Sequence, residues 1–116
     1  MVIVDAGHGG TDPGASSGDI IEKDYTLKIS NYMYNRFKEL GIPTFITRTT
    51  DTTLNPTDRI NTITPYVTSS DDIVISNHLN AGGGDNPSGK LTFFEKKFNK
   101  FSKYDIIFTE KAVFNL

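Results

Sequence analysis

The sequence predicts an α/β fold, a three-layer sandwich built on a mostly parallel sheet of about four strands. Short β-branched runs alternate with longer helical patterns, and loops rich in glycine or proline separate them. The resulting order of strand, helix, strand, helix, strand over residues 1–80 is typical of a parallel sheet with helices on its faces. The length of 116 residues suits one domain.

The first strand is predicted at residues 1–5, and a glycine-rich loop follows at 7–18. A helix is predicted over residues 24–40, and Gly41 and Pro43 are typical of its end. Its apolar residues recur at steps of four and three, which predicts that one face is buried. These residues are Tyr25, Ile29, Met33, Phe37 and Leu40.

Further strands are predicted at residues 44–47 and 72–77. Between them, Asn55 and Pro56 are typical of an N-cap and a first helical residue. This second helix should end near Thr64, because Pro65 lacks an amide hydrogen and crowds the preceding turn.

The C-terminal part differs in composition from the rest. Residues 1–80 carry a net charge of −4, whereas residues 81–116 carry +2 and six of the eight phenylalanines. A fourth strand is predicted at Leu91–Glu95, strand character is found at Asp105–Thr109, and Phe94, Phe98 and Phe101 would align on a helix. The shift in composition predicts a boundary at or soon after residue 81.

Composition also excludes several classes of protein. Without cysteine, the chain has neither disulfides nor a thiolate metal site. The net charge of −2 argues against nucleic-acid binding. No apolar stretch is long enough to span a membrane, and no charged-then-apolar leader precedes the first strand. We therefore expect synthesis in the cytoplasm, with another exit route if the protein acts outside it.

The two histidines of the chain occupy matching positions. His8 and His78 each follow a β-branched run, and glycines lie a few residues beyond each. Because the carboxyl ends of parallel strands lie along one edge of the sheet, both imidazoles should reach the same site. Glu22, between the glycine-rich loop and the first helix, is the best third ligand. Two imidazoles and one carboxylate leave the fourth position of a tetrahedral Zn²⁺ open, as in hydrolytic zinc sites.

These residues also allow other interpretations. Each histidine taken alone could lie in a loop without binding a ligand, and Glu22 could simply stabilise a helix start. The loop Gly7–Gly10 could cradle a phosphate, but the long interval before the helix argues against this. Asp5 and Asp12 are interpreted as residues that cap backbone amides. Arg48 and Asp51 are as well explained by a structural pair as by a substrate contact.

The motifs at residues 3–15, 22–24, 47–48 and 75–81 resemble those of the zinc-dependent N-acetylmuramoyl-L-alanine amidases. The resemblance covers about residues 2–83 and implies the amidase (phosphorylase/hydrolase-like) type of fold. It also implies that His8, Glu22 and His78 bind Zn²⁺, and that the substrate is the amide between N-acetylmuramic acid and L-alanine in peptidoglycan. We therefore interpret residues 1–116 as one zinc amidase catalytic domain, in which 1–83 match the family and 84–116 diverge.

The resemblance weakens in the C-terminal part, where such enzymes carry a glutamate as general base. Glu110 is the nearest match, but the glycine of the motif is missing, so the catalytic base is unknown. Two hypotheses follow. The chain is a cell-wall amidase, of the phage endolysin type or a bacterial autolysin that remodels the wall. Alternatively, it is a truncated fragment, with the last elements of the fold missing, that binds zinc or cell wall without turnover.

Overall fold

The computed structural model describes residues 1–79 and 106–108. In chain order its strands are β1 (Val2–Ala6), β2 (Ser16–Ser17), β3 (Ile20–Ile21), β4 (Thr44–Ile46), β5 (Ile73–Asn77) and β6 (Ile106–Phe108). Its helices are α1 (Glu22–Glu39) and α2 (Pro56–Ile63), and a 3₁₀ turn at Thr64–Tyr66 follows α2. The predictions at Leu91–Glu95, at Phe94, Phe98 and Phe101, and at Glu110 lie outside the described residues.

Four strands form one parallel sheet in the order β4-β1-β5-β6. The predicted parallel sheet is therefore confirmed, and β6 lies within the predicted segment 105–109. The central strand β1 pairs along its whole length with β5, from Val2 opposite Ile73 to Ala6 opposite Asn77. Ile3, Val4 and Ala6 of β1 have no exposed surface, so the core is centred on this strand.

The helices lie on opposite faces of the sheet. Side chains alternate between the two faces along a strand. Asn77, at the end of β5, contacts Ser30 of α1 on one face. On the other face, Asp5 of β1 contacts Arg59 of α2, and Phe45 of β4 stacks on Tyr66 at 3.8 Å between ring centroids. This gives the three layers that the sequence predicts.

The ends of both helices follow from their sequence. Gly41 has φ +74°, and its amide donates to the carbonyl of Lys38 while that of Ile42 donates to Phe37. This pattern is a Schellman motif, which needs a left-handed residue. Asn55 accepts from the amide of Asp58 at 2.8 Å, as expected of an N-cap. α2 ends one residue before Thr64, and a 3₁₀ turn carries the chain through Pro65.

The buried face of α1 includes polar residues besides the predicted apolar ones. The apolar residues at 25, 29, 33 and 37 are only partly buried, and Leu40 is 56% exposed. The fully buried residues are Glu22, Thr26 and Ser30, which also follow one another at steps of four. Thr26 donates to the carbonyl of Gly7 at 2.7 Å, and Ser30 accepts from Asn77 at 2.8 Å. The helix therefore contacts the strand ends through hydrogen bonds that apolar periodicity does not report.

A short hairpin was not predicted. β2 and β3 pair antiparallel across the two-residue turn Gly18-Asp19, in which Gly18 has φ +58°. Glycine followed by aspartate between two short segments is a known hairpin signal, so the sequence contained it. The hairpin leads directly into Glu22. Within the described ranges, neither helix combines the length and apolar character needed to cross a membrane.

Candidate metal centre

Both histidines leave the sheet at the carboxyl ends of neighbouring strands. β1 and β5 are parallel and end opposite each other at Ala6 and Asn77. His78 follows β5 directly, whereas Gly7 separates His8 from β1. The amide of Gly7 donates to the carbonyl of Asn77 at 3.0 Å, which holds the two turns together. Adjacent parallel strands thus bring residues 70 positions apart to one edge.

Glu22 reaches the same edge as the first residue of α1. Its amide donates to the carbonyl of Ala15 at 2.8 Å, and its carboxylate Oε2 accepts from the amide of Ala15 at 2.7 Å. Oε1 accepts from the amide of Leu79 at 2.9 Å. The side chain is 4% exposed. These bonds aim Oε1 at the two imidazoles.

The structure brings His8, Glu22 and His78 together. His8 Nε2 lies 3.0 Å from Glu22 Oε1, His78 Nδ1 lies 3.1 Å from the same oxygen, and the two ring nitrogens are 3.2 Å apart. The rings meet nearly perpendicularly, at 82°. Among the residues that the structure describes, this is the one group of three or more potential ligands that could hold a metal ion.

Charge and hydrogen bonding prepare Glu22 and His8 for a cation. Burial would raise the pKa of Glu22, but hydrogen bonds from His78, Ala15 and Leu79 outweigh it, and the pKa falls below its ordinary value. The carboxylate is therefore ionised at neutral pH. Asp12 Oδ2 lies 2.9 Å from His8 Nδ1. If Nδ1 carries the proton and donates it to Asp12, the lone pair of Nε2 faces the centre.

Asp12 has a second function that the sequence did not indicate. As predicted, its Oδ1 caps a backbone amide, that of Gly14 at 3.1 Å. Its other oxygen orients His8, and the hydrogen bond with His8, followed by that from Gly14, lowers the pKa of Asp12. Its i, i+4 spacing from His8 was the available signal, but loop spacing alone does not fix a contact.

Two glycines provide the space for the ligand side chains. A Cβ at Gly7 would lie 2.5 Å from Cε1 of His78 and 2.6 Å from the carbonyl of Asn77. A Cβ at Gly14, where φ is +68°, would lie 2.6 Å from Oε2 of Glu22 and 2.7 Å from Cδ2 of His8. Since real Cβ atoms do not approach this closely, both positions require glycine.

Three polar side chains have other partners than predicted. Asp5 is buried and caps no backbone amide in the contacts described; it accepts instead from Ser76, Thr47 and Arg59. Asp51 accepts from Lys23 at 2.7 Å and from the amide of Gly10, so its observed partner is lysine and not Arg48. Arg48 donates instead to the backbone carbonyls of Ala6, Gly7 and Lys23. Arg59, which contacts Asp5 here, was not predicted to have a role in the site.

The glycine-rich loop is not a free phosphate cradle. The amide of Gly9 donates to the carbonyl of Asp12, that of Gly10 to the carboxylate of Asp51, and that of Thr11 to the hydroxyl of Thr53. These amides are already used within the protein. The phosphate-binding interpretation of this loop is therefore wrong.

Comparison with known proteins finds similar amidases. The germination-specific N-acetylmuramoyl-L-alanine amidase of Bacillus subtilis is 31% identical over 118 residues, which cover 90% of this chain and 50% of that protein. The amidase CwlM of Bacillus licheniformis is 34% identical over 87 residues, 72% of this chain and 32% of that protein. The crystal structure of an N-acetylmuramoyl-L-alanine amidase from Clostridium difficile 630 superposes with a TM-score of 0.67 and 33% identity, over 75% of this chain and 47% of that one.

The chain spans between about a third and a half of the length of these relatives. The sequence pattern of the family described as N-acetylmuramoyl-L-alanine amidase matches residues 2–111, most of the chain. The match runs beyond the strands and helices that carry His8, Glu22 and His78 and includes β6. The chain therefore belongs to the N-acetylmuramoyl-L-alanine amidase family.

Proposed function

We propose that this chain is a zinc-dependent amidase that hydrolyses the amide between N-acetylmuramic acid and L-alanine in peptidoglycan. The observation that supports this most directly is the cluster of three donor atoms, His8 Nε2, Glu22 Oε1 and His78 Nδ1, at mutual distances of 3.0–3.2 Å. Membership of the amidase family supports this choice of reaction class and substrate.

The donor set fits Zn²⁺. With bonds of about 2.0–2.1 Å, two ligands of a tetrahedral zinc lie about 3.3 Å apart, close to the separations found here. Neutral imidazoles and one carboxylate suit zinc better than Mg²⁺ or Ca²⁺, which prefer oxygen ligands. The low pKa of Glu22 and the contact of Asp12 with His8 favour the metal-ready forms of both side chains.

When bound, zinc would polarise a carbonyl oxygen and lower the pKa of a water molecule to about 7. The residues of the chain would hold the zinc ion and orient its ligands. His8 and His78 are 24% and 36% exposed, so the centre is accessible from solvent, whereas Glu22 is buried behind it. The glycines on either side of His8 face the protein itself, because a Cβ at Gly7 would meet His78 and one at Gly9 would meet Thr52 and Arg48.

Peptidoglycan as substrate implies action at the cell wall. The relatives named above are amidases of Bacillus and Clostridium, and one of them is germination-specific. We propose that this chain acts on the wall either in lysis, as a phage endolysin does, or in remodelling, as an autolysin does. The net charge of −2 and the isolated metal centre offer no feature that would recognise nucleic acid.

A second candidate function is binding of zinc or cell wall without turnover. It is favoured by the poor match of the C-terminal segment to the family's base motif, for which Glu110 is the nearest candidate. Loss of a positioned general base costs roughly 10²- to 10⁴-fold in rate. Dye release from labelled peptidoglycan separates the two functions, since a binding protein releases none. Equal release by the wild type and Glu110→Gln would remove Glu110 from the mechanism.

The metal site is tested with a pair of variants on one helix. Glu22→Gln removes the carboxylate ligand, whereas Glu39→Gln changes an exposed residue at the other end of α1 that pairs with Arg36. We expect one zinc per wild-type chain by elemental analysis, the same for Glu39→Gln, and no stoichiometric zinc for Glu22→Gln or His78→Ala. Absence of zinc from the wild type under loading conditions would refute the proposed function.

A further inference from the structure

The turn that delivers His8 is held by two arginines from distant segments. Arg59 of α2 donates to the carbonyl of Ala6 at 2.7 Å and to that of His8 at 3.0 Å. Arg48, just after β4, donates to the carbonyl of Ala6 at 3.2 Å and to that of Gly7 at 2.9 Å. Three consecutive carbonyls thus accept from guanidinium groups. We call Arg48 and Arg59 the arginine clamp.

The clamped turn has an unfavourable backbone conformation. His8 has φ +57° and is the only non-glycine residue with a positive φ in the described part of the chain. L residues rarely adopt this region, because Cβ approaches the neighbouring carbonyl too closely. Such a conformation persists only where the surroundings enforce it, and it is often found at functional sites. The clamp supplies that enforcement on both sides of His8.

Arg48 also connects this turn to the helix that carries Glu22. Its Nη2 donates to the carbonyl of Lys23 at 3.0 Å and to the hydroxyl of Thr26 at 3.2 Å. Thr26 in turn donates to the carbonyl of Gly7. One side chain therefore contacts the residue before His8 and the residue after Glu22, the two ligands whose donor atoms are 3.0 Å apart.

The chemistry of the clamp requires arginine. A guanidinium carries five N–H donors in a rigid plane and reaches several carbonyls at once, whereas a lysine ammonium is a compact charge on a flexible stem. Arg48 is 6% exposed, and its hydrogen bonds go to carbonyls and one hydroxyl. Burying a charge on such partners adds little stability by itself. The burial of Arg48 among these carbonyls is better explained by its geometric effect on the turn.

We propose that Arg48 and Arg59 are positioning residues of the metal centre, which hold His8 Nε2 at its distance from Glu22 Oε1. The proposal rests on the proposed function insofar as the centre binds zinc. Neither arginine contacts the three donor atoms in the hydrogen bonds described, so the effect passes through the backbone of the turn.

The test uses Arg48→Lys and Arg59→Lys, with Arg36→Lys as the matched control on the exposed side of α1. Zinc affinity is measured by competition with a chelator, and the Co²⁺-loaded proteins are compared by their visible absorption. We expect each clamp variant to bind zinc about 10- to 100-fold more weakly, the range found when a group behind a metal ligand is lost. The cobalt band should weaken, and Arg36→Lys should match the wild type.

A measurement without metal makes the test independent of zinc. The rings of His8 and His78 have centroids 4.9 Å apart, which predicts a nuclear Overhauser contact between them in the metal-free protein. We expect this contact to be lost in the folded clamp variants and retained in Arg36→Lys. If the wild type binds no zinc, the proposed function fails, and the ring contact still decides the role of the clamp.

Either of two results would contradict a positioning role for Arg48 and Arg59. Clamp variants that melt at lower temperature, yet keep wild-type zinc affinity and the ring contact, would reduce the arginines to structural residues. If Arg48→Lys fails to fold, Arg59→Lys is decisive alone, because lysine keeps a positive charge beside the buried Asp5 and the side chain at this position is 14% exposed. Unchanged affinity and ring contact in Arg59→Lys would then reject the proposal.

Discussion

The turn after β1 and the turn after β5 each carry one histidine to the metal centre, and they are held by different means. In the first, the arginine clamp fixes the backbone and Asp12 fixes the ring of His8. In the second, the residues on either side of His78 bond to α1: Asn77 donates to Ser30, and Leu79 donates to Glu22. The first turn depends on charged residues from α2, from the segment after β4 and from its own loop, and the second depends on α1.

The two turns share one feature, because each imidazole packs against a glycine. The His78 ring packs against a glycine of the first turn, and the His8 ring packs against a glycine of its own loop. His78 lies against Gly7, and His8 lies against Gly14. The separation of the ligand donor atoms is therefore set by backbone contacts as much as by the ligand side chains themselves. Substitutions at these glycines therefore test it most directly.

The largest effect is expected for Gly14→Ala. Its Cβ would meet both Glu22 and His8, and φ at this position is +68°. Gly18→Ala is the matched control, because Gly18 has φ +58° with nothing within 4 Å of the added atom. Both variants should lose about 1 kcal/mol of stability from the left-handed conformation. Only Gly14→Ala should also lose more than about 100-fold in zinc affinity, measured by chelator competition. Equal affinities in the two variants would show that the contact with the ligands is unimportant.

A smaller effect is expected for Gly7→Ala, which displaces one ligand instead of two. Its φ is outside the left-handed region, so the added Cβ acts through space alone, against Cε1 of His78 and the carbonyl of Asn77. We expect zinc affinity to fall about 10- to 100-fold. Chemical shifts of the His78 ring should change more than those of His8. A larger change at His8 would contradict the contact of Gly7 with the His78 ring.

The smallest effect is on the pH dependence of stability. The hydrogen bond with His8, and then that from Gly14, lower the pKa of Asp12 in the folded state. The ionised Asp12 therefore stabilises the fold above its ordinary pKa of about 3.9, and this contribution is lost as the pH falls from there through the lower folded-state pKa. Urea unfolding of the metal-free protein is measured from about pH 5 downwards, in steps of about half a pH unit. As the pH falls, the free energy of unfolding should decline less for Asp12→Asn than for the wild type. Parallel dependence of the free energy of unfolding on pH in the two proteins would show that ionised Asp12 does not contribute to stability.

Several features of the fold could be predicted because they depend on local sequence. The order of strands and helices, the end of α1 at Gly41 and the N-cap at Asn55 are encoded within a few residues of each feature. The hairpin at Gly18-Asp19 was also encoded locally and was overlooked. The polar part of the buried face of α1 was not predicted, because periodicity of apolar residues does not reveal that Thr26 and Ser30 hydrogen-bond to the strand ends.

The sequence by itself determined that two imidazoles end neighbouring parallel strands and that a carboxylate begins the following helix, because strand ends and helix starts are set by short-range preferences. Only the tertiary structure decided that His8 Nε2, Glu22 Oε1 and His78 Nδ1 lie within 3.2 Å of one another. It alone also decided that Arg48 and Arg59 hold the turn. These contacts join residues 14 to 70 positions apart in the chain, and their distances depend on packing and hydrogen bonds that no local pattern specifies.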